Sequence, residues 1–419
     1  MRVLFTTSHC LPHFQPMVPL GWALQAAGHE VVVAAGPDVA PHVVGAGLPV
    51  FPLTEDVDLI TLGRFKIYRD VLTGLNGEVG QTYSGLPAIH PLEGRALAPA
   101  EVFDLADFGR QRGPGLMKVV GRRIDEVVGF ARDWRPDLVV DELMCFDGTL
   151  AAAVIGVPVV RHLWGPLGTA EPDPRLAEVA GDDITAAAAR YGVQVGEPAD
   201  DWVIDVCPEL VGVPVRERRL PMRYVPYNGP TPEVGAGNPD PGRPTICVTW
   251  SDTAPKLFGP ASFLVGRVLE AVAELEVDVR VAIGASQQAA LRLPERSRAR
   301  FQVGRVPLNQ VLPTAAALVH SGGAGATMTA LVSGVAQLGI PFSKEFAVNV
   351  ERMAVGAAEL VTPQSASVAE LRHRLRGLIE DPRYPETAAR LRQAALELPT
   401  PADLVRSLEH IAGTVPVAA

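Results

Sequence analysis

The segment HSGGAGATMTAL, His320 to Leu331, follows the apolar run AAALV and places a histidine and three glycines ahead of a helix-like stretch. A glycine-rich turn between a strand and a helix exposes backbone N–H groups at the helix N-terminus, where the aligned peptide dipoles favour an anion. Gly322, Gly323 and Gly325 carry no side chain to keep a ligand off the backbone. The chemistry on offer is anion binding, and the alternative is a tight turn with no ligand. His320 favours the ligand, because it stands at the carboxyl end of an expected strand, the edge where open parallel sheets bind their ligands. Two familiar phosphate sites do not fit. A dinucleotide fingerprint needs G-x-G-x-x-G after the first strand, whereas the chain there reads TSHCLPHFQP, and no P-loop lysine is present.

The elements that must hold this segment follow from periodicity. RVLFTT reads as a short buried strand, MVPLGWALQAAGHEVVVAAG as a helix, a turn at Gly28 and a second strand. VVGRRIDEVVGFARDWRPDLVVDEL and GTLAAAVIGVPVV repeat the helix-then-strand pattern, with a helix ending before Pro136. Alternating strands and helices argue for a parallel sheet covered on both faces. After the Pro/Gly-rich stretch YNGPTPEVGAGNPDPGRP, the pattern starts again at TICVTW. At 419 residues the chain also exceeds what one core usually holds. The expected architecture is α/β, with two doubly wound Rossmann-like domains facing a central cleft. The boundaries are 1–226 for the first domain, 227–244 for a linker, 245–380 for the second, and 381–419 for C-terminal helices able to pack back on the first. Periodicity fails between Leu53 and about Pro114, so 55–115 is read as a structured cap inserted in the first domain.

A net charge of −10 with no long basic run leaves nucleic acid without a surface to bind. The N-terminus lacks a signal-peptide core, and no apolar run approaches the roughly 18 residues needed to span a bilayer. The expected location is cytoplasmic. Cys10, Cys145, Cys207 and Cys247 have no metal-ligand spacing and are expected to be free thiols, mostly buried.

Taken together, HFQPMVPLGWALQAAGHEV, GRVPLNQVLPTAAALVHSGGAGATMTALVSGVAQLGIP and NVERMA resemble the family 1 glycosyltransferases of the GT-B fold. The likeness is strongest to actinobacterial enzymes that move deoxysugars from dTDP donors onto polyketide or macrolide acceptors. It implies an inverting transferase with a dTDP-sugar as co-substrate, no metal and no other cofactor. His13, in a His-x-x-Pro setting with Pro16, would be the general base on the acceptor hydroxyl, which suits a side chain that titrates near neutrality. His9 shares the loop without that proline. An acid after the fourth strand would orient the base; LVVDEL offers Asp141 and Glu142, with Asp141 preferred. His320, Gly322, Gly323, Ala324, Gly325 and Ala326 would bind the diphosphate, Val306 would read the thymine through its main chain, and Arg305 would cover it. Ser251 and Thr253 are candidate hydroxyl donors, with helix capping an equal alternative. Phe65, Tyr68 and Tyr83 in the cap would meet a hydrophobic acceptor.

The chain departs from the family's pattern twice. Ala326 stands where a hydroxyl is common, with Thr327 one place later, and the usual Asp-Gln pair on the sugar is replaced by Glu345 and Phe346. Phe346 removes an amide and suits a sugar with few hydroxyls. The rival readings are a non-catalytic nucleotide-sugar sensor or helper protein of the same fold, and a sugar-nucleotide 2-epimerase. A homodimer is allowed by the sequence and not required by it.

Overall fold

The computed structural model describes residues 1–75, 82–98, 101–177, 185–194, 201–230, 242–304 and 306–414. Two compact units divide the chain, and each is built on a wholly parallel sheet. Unit 1 comprises Met1–Leu59, Ala106–Pro230 and Leu396–Ala419, and unit 2 comprises Ile60–Leu105 and Thr231–Ala395.

Unit 1 holds β1 (Arg2–Thr6), β2 (Glu30–Ala35), β3 (Val50–Pro52), β4 (Leu138–Glu142), β5 (Val159–His162), β6 (Trp202–Asp205) and β7 (Arg218–Pro221). Its seven strands lie in the order β3-β2-β1-β4-β5-β6-β7. Unit 2 holds β8 (Thr245–Thr249), β9 (Asp278–Ala282), β10 (Arg300–Gly304), β11 (Ala317–His320), β12 (Ala336–Gly339) and β13 (Ala358–Leu360). Its six strands run β10-β9-β8-β11-β12-β13. Each order reverses once, between β1 and β4 and between β8 and β11, and doubly wound folds bind ligands at the carboxyl ends of such strand pairs. The strands are apolar on both faces because helices cover both: Val3, Leu4 and Phe5 of β1, and Leu318 and Val319 of β11, have no exposed surface.

The sequence reading placed the 55–115 segment in the first domain. Residues 60–105 belong instead to unit 2. Ile67 and Leu86 pack on the apolar core around β8, β9 and β11, and Arg64 Nε donates to the Lys256 carbonyl at 2.6 Å. The apolar side chains of the insertion are buried there, which decides its allegiance. Residues beyond 105 begin the 30-residue helix Leu105–Trp134 of unit 1, which runs through Pro114. The ring deprives the Arg110 carbonyl of its helical donor, and Arg110 lies in an exposed stretch where water can take its place. The C-terminal boundary also moves, since 381–395 stays with unit 2 while the last helix, Pro401–Thr414, packs on Val18–Ala26 in unit 1. Arg392 Nε donates to the Val332 carbonyl in the first case, and His29 Nε2 meets Glu409 at 3.0 Å in the second.

Candidate active site

In unit 1 the chain leaves β1 through Thr7 and Ser8 and enters the short helix Leu11–Phe14. Pro12 lies in its first turn, where a missing N–H costs nothing. This turn sets His13 Nδ1 3.3 Å from Glu142 Oε2 and 3.4 Å from Ser8 Oγ. The Glu142 side chain is wholly buried, and it also accepts from the backbone N–H of Ser8 at 3.0 Å and of Met144 at 2.9 Å. Burial alone would raise its pKa, but His13 and these donors outweigh burial and hold it below the usual carboxylate range. An ionised carboxylate only accepts, so Nδ1 carries the hydrogen and neutral His13 keeps its lone pair on Nε2. Nε2 has no hydrogen-bond partner among the described residues. One face of the ring lies flat on Trp164, with centroids 3.9 Å apart and planes within 1°.

Asp141, expected to orient His13, does not reach it. Successive residues of a strand point to opposite faces, and Asp141 turns away from Glu142's side. Its Oδ2 accepts from Thr149 N at 2.9 Å, and its Oδ1 lies 4.0 Å from Arg161 Nε. Burial pushes its pKa up to about 7, against the opposing pull of Arg161 and Thr149. His162, paired in register with Glu142, is buried, and its Nδ1 lies 2.8 Å from the Leu163 carbonyl. Burial lowers its pKa to about 4, so it is neutral at pH 7.

In unit 2 the glycine loop follows β11. His320 is 1% exposed, and its Nδ1 accepts from Gly322 N at 3.1 Å, which leaves the hydrogen on Nε2. Burial lowers its pKa to about 4, with Gln337 acting in the opposite direction. His320 therefore offers a neutral N–H at pH 7. Gly322 adopts φ +87°, and a Cβ there would stand 2.6 Å from the Phe346 carbonyl oxygen. Its own carbonyl accepts from Asn349 Nδ2 at 2.9 Å. The loop is thus held from behind by the helix Lys344–Glu351. The helix Ala324–Ser333 begins directly after Gly323. The N–H groups of Ala324, Gly325 and Ala326 lie in its first turn, where no intrahelical acceptor exists. A Cβ at Gly323 or Gly325 would meet nothing within 4 Å, so the approach to these N–H groups is open.

The remaining donor-side residues divide. Ser251 N donates to Ser321 Oγ at 3.4 Å, which joins the loop after β8 to the His320 loop. Ser251 Oγ accepts from Thr253 N at 3.0 Å, which tightens the turn ahead of the helix Thr253–Phe258, whose N-cap is Asp252. Thr327 is buried and donates to the Gly323 carbonyl at 3.1 Å. It closes its own turn and does not replace the hydroxyl missing at Ala326, which packs on the apolar cluster that includes Cys247, Leu312 and Leu318. Val306 packs on the same cluster, and Arg305 lies outside the described residues. Glu345 occupies the first turn of the helix capped by Ser343. Phe346 is 8% exposed and packs edge-on to Phe258, which makes it a core residue.

Tyr68 of the insertion is buried, not presented as an acceptor surface. Its hydroxyl accepts from Phe103 N at 2.8 Å, and both it and Phe65 pack edge-on against Phe103. The Tyr83 carbonyl accepts from Gln364 Nε2 at 3.4 Å. The four cysteines form no disulfide, and three of them are buried and Cys10 partly so. Among the described residues no three His, Cys, Asp or Glu stand together as a metal site, and no helix is long and apolar enough to cross a membrane. Sequence reasoning passed over Ser8, Trp164 and Asn349; β-strand alternation alone would have said that Asp141 and Glu142 cannot share a partner.

Comparison with known proteins gives this arrangement its context. Residues 266–411 match the C-terminal domain model of erythromycin biosynthesis protein CIII-like proteins, and residues 22–71 and 116–250 match the corresponding N-terminal domain. Aclacinomycin-T 2-deoxy-L-fucose transferase of Streptomyces galilaeus is 31% identical, covering 98% of this chain and 96% of that protein. L-demethylnoviosyl transferase of Streptomyces niveus is 34% identical over 97% of each chain. Among solved structures, glycosyltransferase VinC in complex with dTDP superposes with a TM-score of 0.72 at 26% identity, covering 99% of this chain and all of that one. Spinosyn forosaminyltransferase SpnP gives 0.74 at 28% identity over 99% of each. The chain is a glycosyltransferase of the GT-B fold and belongs to the erythromycin biosynthesis protein CIII-like family.

Proposed function

We propose that the enzyme transfers a deoxysugar from a dTDP-sugar to a hydroxyl of a hydrophobic, polyketide-type natural product, in antibiotic biosynthesis and with inversion at the anomeric carbon. The observation that carries this reading is the His13–Glu142 pair, which leaves Nε2 as a free base. Nε2 takes the acceptor proton as the acceptor oxygen attacks the anomeric carbon, and the bond from that carbon to the diphosphate oxygen breaks. Buried Glu142 stabilises the imidazolium so formed. The first-turn N–H groups of Ala324, Gly325 and Ala326, with the Nε2–H of His320, receive the charge that develops on the diphosphate. One base and one displacement give inversion.

The donor assignment is supported by the relatives: VinC is described in complex with dTDP, and the curated relatives are named for 2-deoxy-L-fucose and demethylnoviose transfer. Phe346 lies in the apolar core of unit 2, so a preference for sugars with few hydroxyls rests on those relatives. A nucleotide-sugar sensor would need the cradle but not a base held by a buried carboxylate. Replacing His13 by Ala should reduce aglycone-dependent sugar transfer at least about 100-fold and leave dTDP affinity unchanged by calorimetry. Undiminished transfer would refute the mechanism.

A further inference from the structure

We propose that Trp164 is a positioning residue for the base, its indole face holding the His13 ring in plane and stabilising the imidazolium that forms during transfer. The inference rests on the reading of His13 as the base. Trp164 is 3% exposed and stands two residues beyond the end of β5, so its ring is held close to the sheet the chain has just left. The two rings are parallel within 1° at 3.9 Å, while Glu142 at 3.3 Å and Ser8 at 3.4 Å hold Nδ1. In-plane bonds alone leave an imidazole free to rock about the Nδ1 axis. A flat neighbour removes that freedom and keeps Nε2 aimed in one direction.

The stack also has an electrostatic sense. When Nε2 takes the proton, positive charge spreads over the ring, and the negative face of an indole attracts it. Glu142 on β4 faces His13 directly, His9 and Cys10 are its neighbours in the loop, and Asp141, Cys145 and His162 stand around Glu142. Glu142 and Trp164 both favour the charged imidazole, and His162 adds no charge at neutral pH. Removing the indole should therefore lower the pH at which His13 becomes protonated and also slow the step that protonates it.

The test uses the full enzyme and the variants Trp164→Leu, Trp164→Phe and His13→Gln, with folding checked by circular dichroism and dTDP binding. Trp164→Leu should lower kcat about tenfold and move the acidic limb of kcat/KM against pH down by about half to one unit. Trp164→Phe keeps an aromatic face and should recover most of both. Emission is read as the difference between the wild type and Trp164→Phe. It should fall on acidification with the same midpoint as the wild-type limb, because an imidazolium quenches a stacked indole, and the step should vanish in His13→Gln. A kcat loss in Trp164→Leu with an unmoved limb would mark a merely structural role and overturn the proposal, while a dead His13→Gln left the base reading intact. Transfer retained by His13→Gln would overturn both.

Discussion

Gly325→Ala separates what the glycine loop does for the fold from what it does for a ligand. Gly325 sits in the first turn of the helix Ala324–Ser333, and a Cβ added there meets nothing within 4 Å. Alanine is the better helix former by about 0.5–1 kcal/mol, so the variant should unfold at least as late as the wild type. With about 2–4 °C of midpoint per kcal/mol for a unit of this size, unit 2 should gain a degree or more. The diphosphate should nevertheless be pushed off the adjacent N–H groups. Losing one hydrogen bond to a charged group costs about 1.5–3 kcal/mol, which at 1.4 kcal/mol per decade weakens dTDP binding roughly 10–100-fold. Gly322→Ala is the opposite control: its φ of +87° and the 2.6 Å approach of a Cβ to the Phe346 carbonyl oxygen make it strained before any ligand arrives. The left-handed conformation alone costs an alanine about 1–2 kcal/mol, so Gly322→Ala should lower the midpoint. Calorimetry with dTDP and differential scanning on both variants read the two effects separately. A Gly325→Ala enzyme that is stabilised and binds dTDP as tightly as the wild type would refute the cradle.

Three further outcomes follow from the buried charges. Asp141, neutral when buried and raised to about 7, penalises the folded state as pH rises from the unfolded carboxylate range near 4 through 7. Asp141→Asn should therefore gain stability relative to wild type over that window, up to about 4 kcal/mol from three units at 1.36 kcal/mol each, with no gain below pH 4; urea unfolding at pH 4 and 8 reads the difference. His320, lowered to about 4, is neutral above pH 6.5, so dTDP affinity from pH 6.5 to 8.5 should show no titration; a tenfold loss across that range by calorimetry would mark a charged histidine. Arg123 Nε donates to Asp147 at 2.6 Å, with both side chains buried. Asp147→Ala leaves the guanidinium with the Thr7 carbonyl, Cys145 Sγ and, at 3.6 Å, the Asp56 carboxylate, and the loss of its close carboxylate should cost about 3–5 kcal/mol in chemical denaturation.

The two sheets were legible because each strand is an apolar run bounded by turn residues, and parallel strands covered on both faces need nothing subtler. The same is true of His320 and its glycines, where a strand end, a histidine and a helix start are contiguous. The choice between Asp141 and Glu142 was not legible as written, because it depends on which face of β4 looks toward the loop after β1. Strand alternation says the two acids diverge and does not say which one turns to His13. Trp164 comes from 151 residues away in the chain, and no local pattern marks an aromatic residue that will lie on a distant imidazole. Phe346 read as a pocket residue from its place beside Glu345, yet helix geometry turns adjacent positions about 100° apart, and that turn carries its ring to Phe258. The insertion was misassigned for a related reason: Ile67 and Leu86 reveal an apolar face but not which of two apolar cores receives it.

That insertion has a consequence for building hybrids. The backbone passes between the units four times, at 59/60, 105/106, 230/231 and 395/396. A chimera joined only at the central Pro/Gly-rich stretch would import a foreign 231–395 while keeping the native Ile67 and Leu86 that must seal its core. Exchange of the second unit between relatives is then a two-segment graft with four junctions, in which 60–105 travels with 231–395 and the final helix stays behind. Hybrids made with one junction should fail first as poorly soluble proteins, before any question of specificity arises.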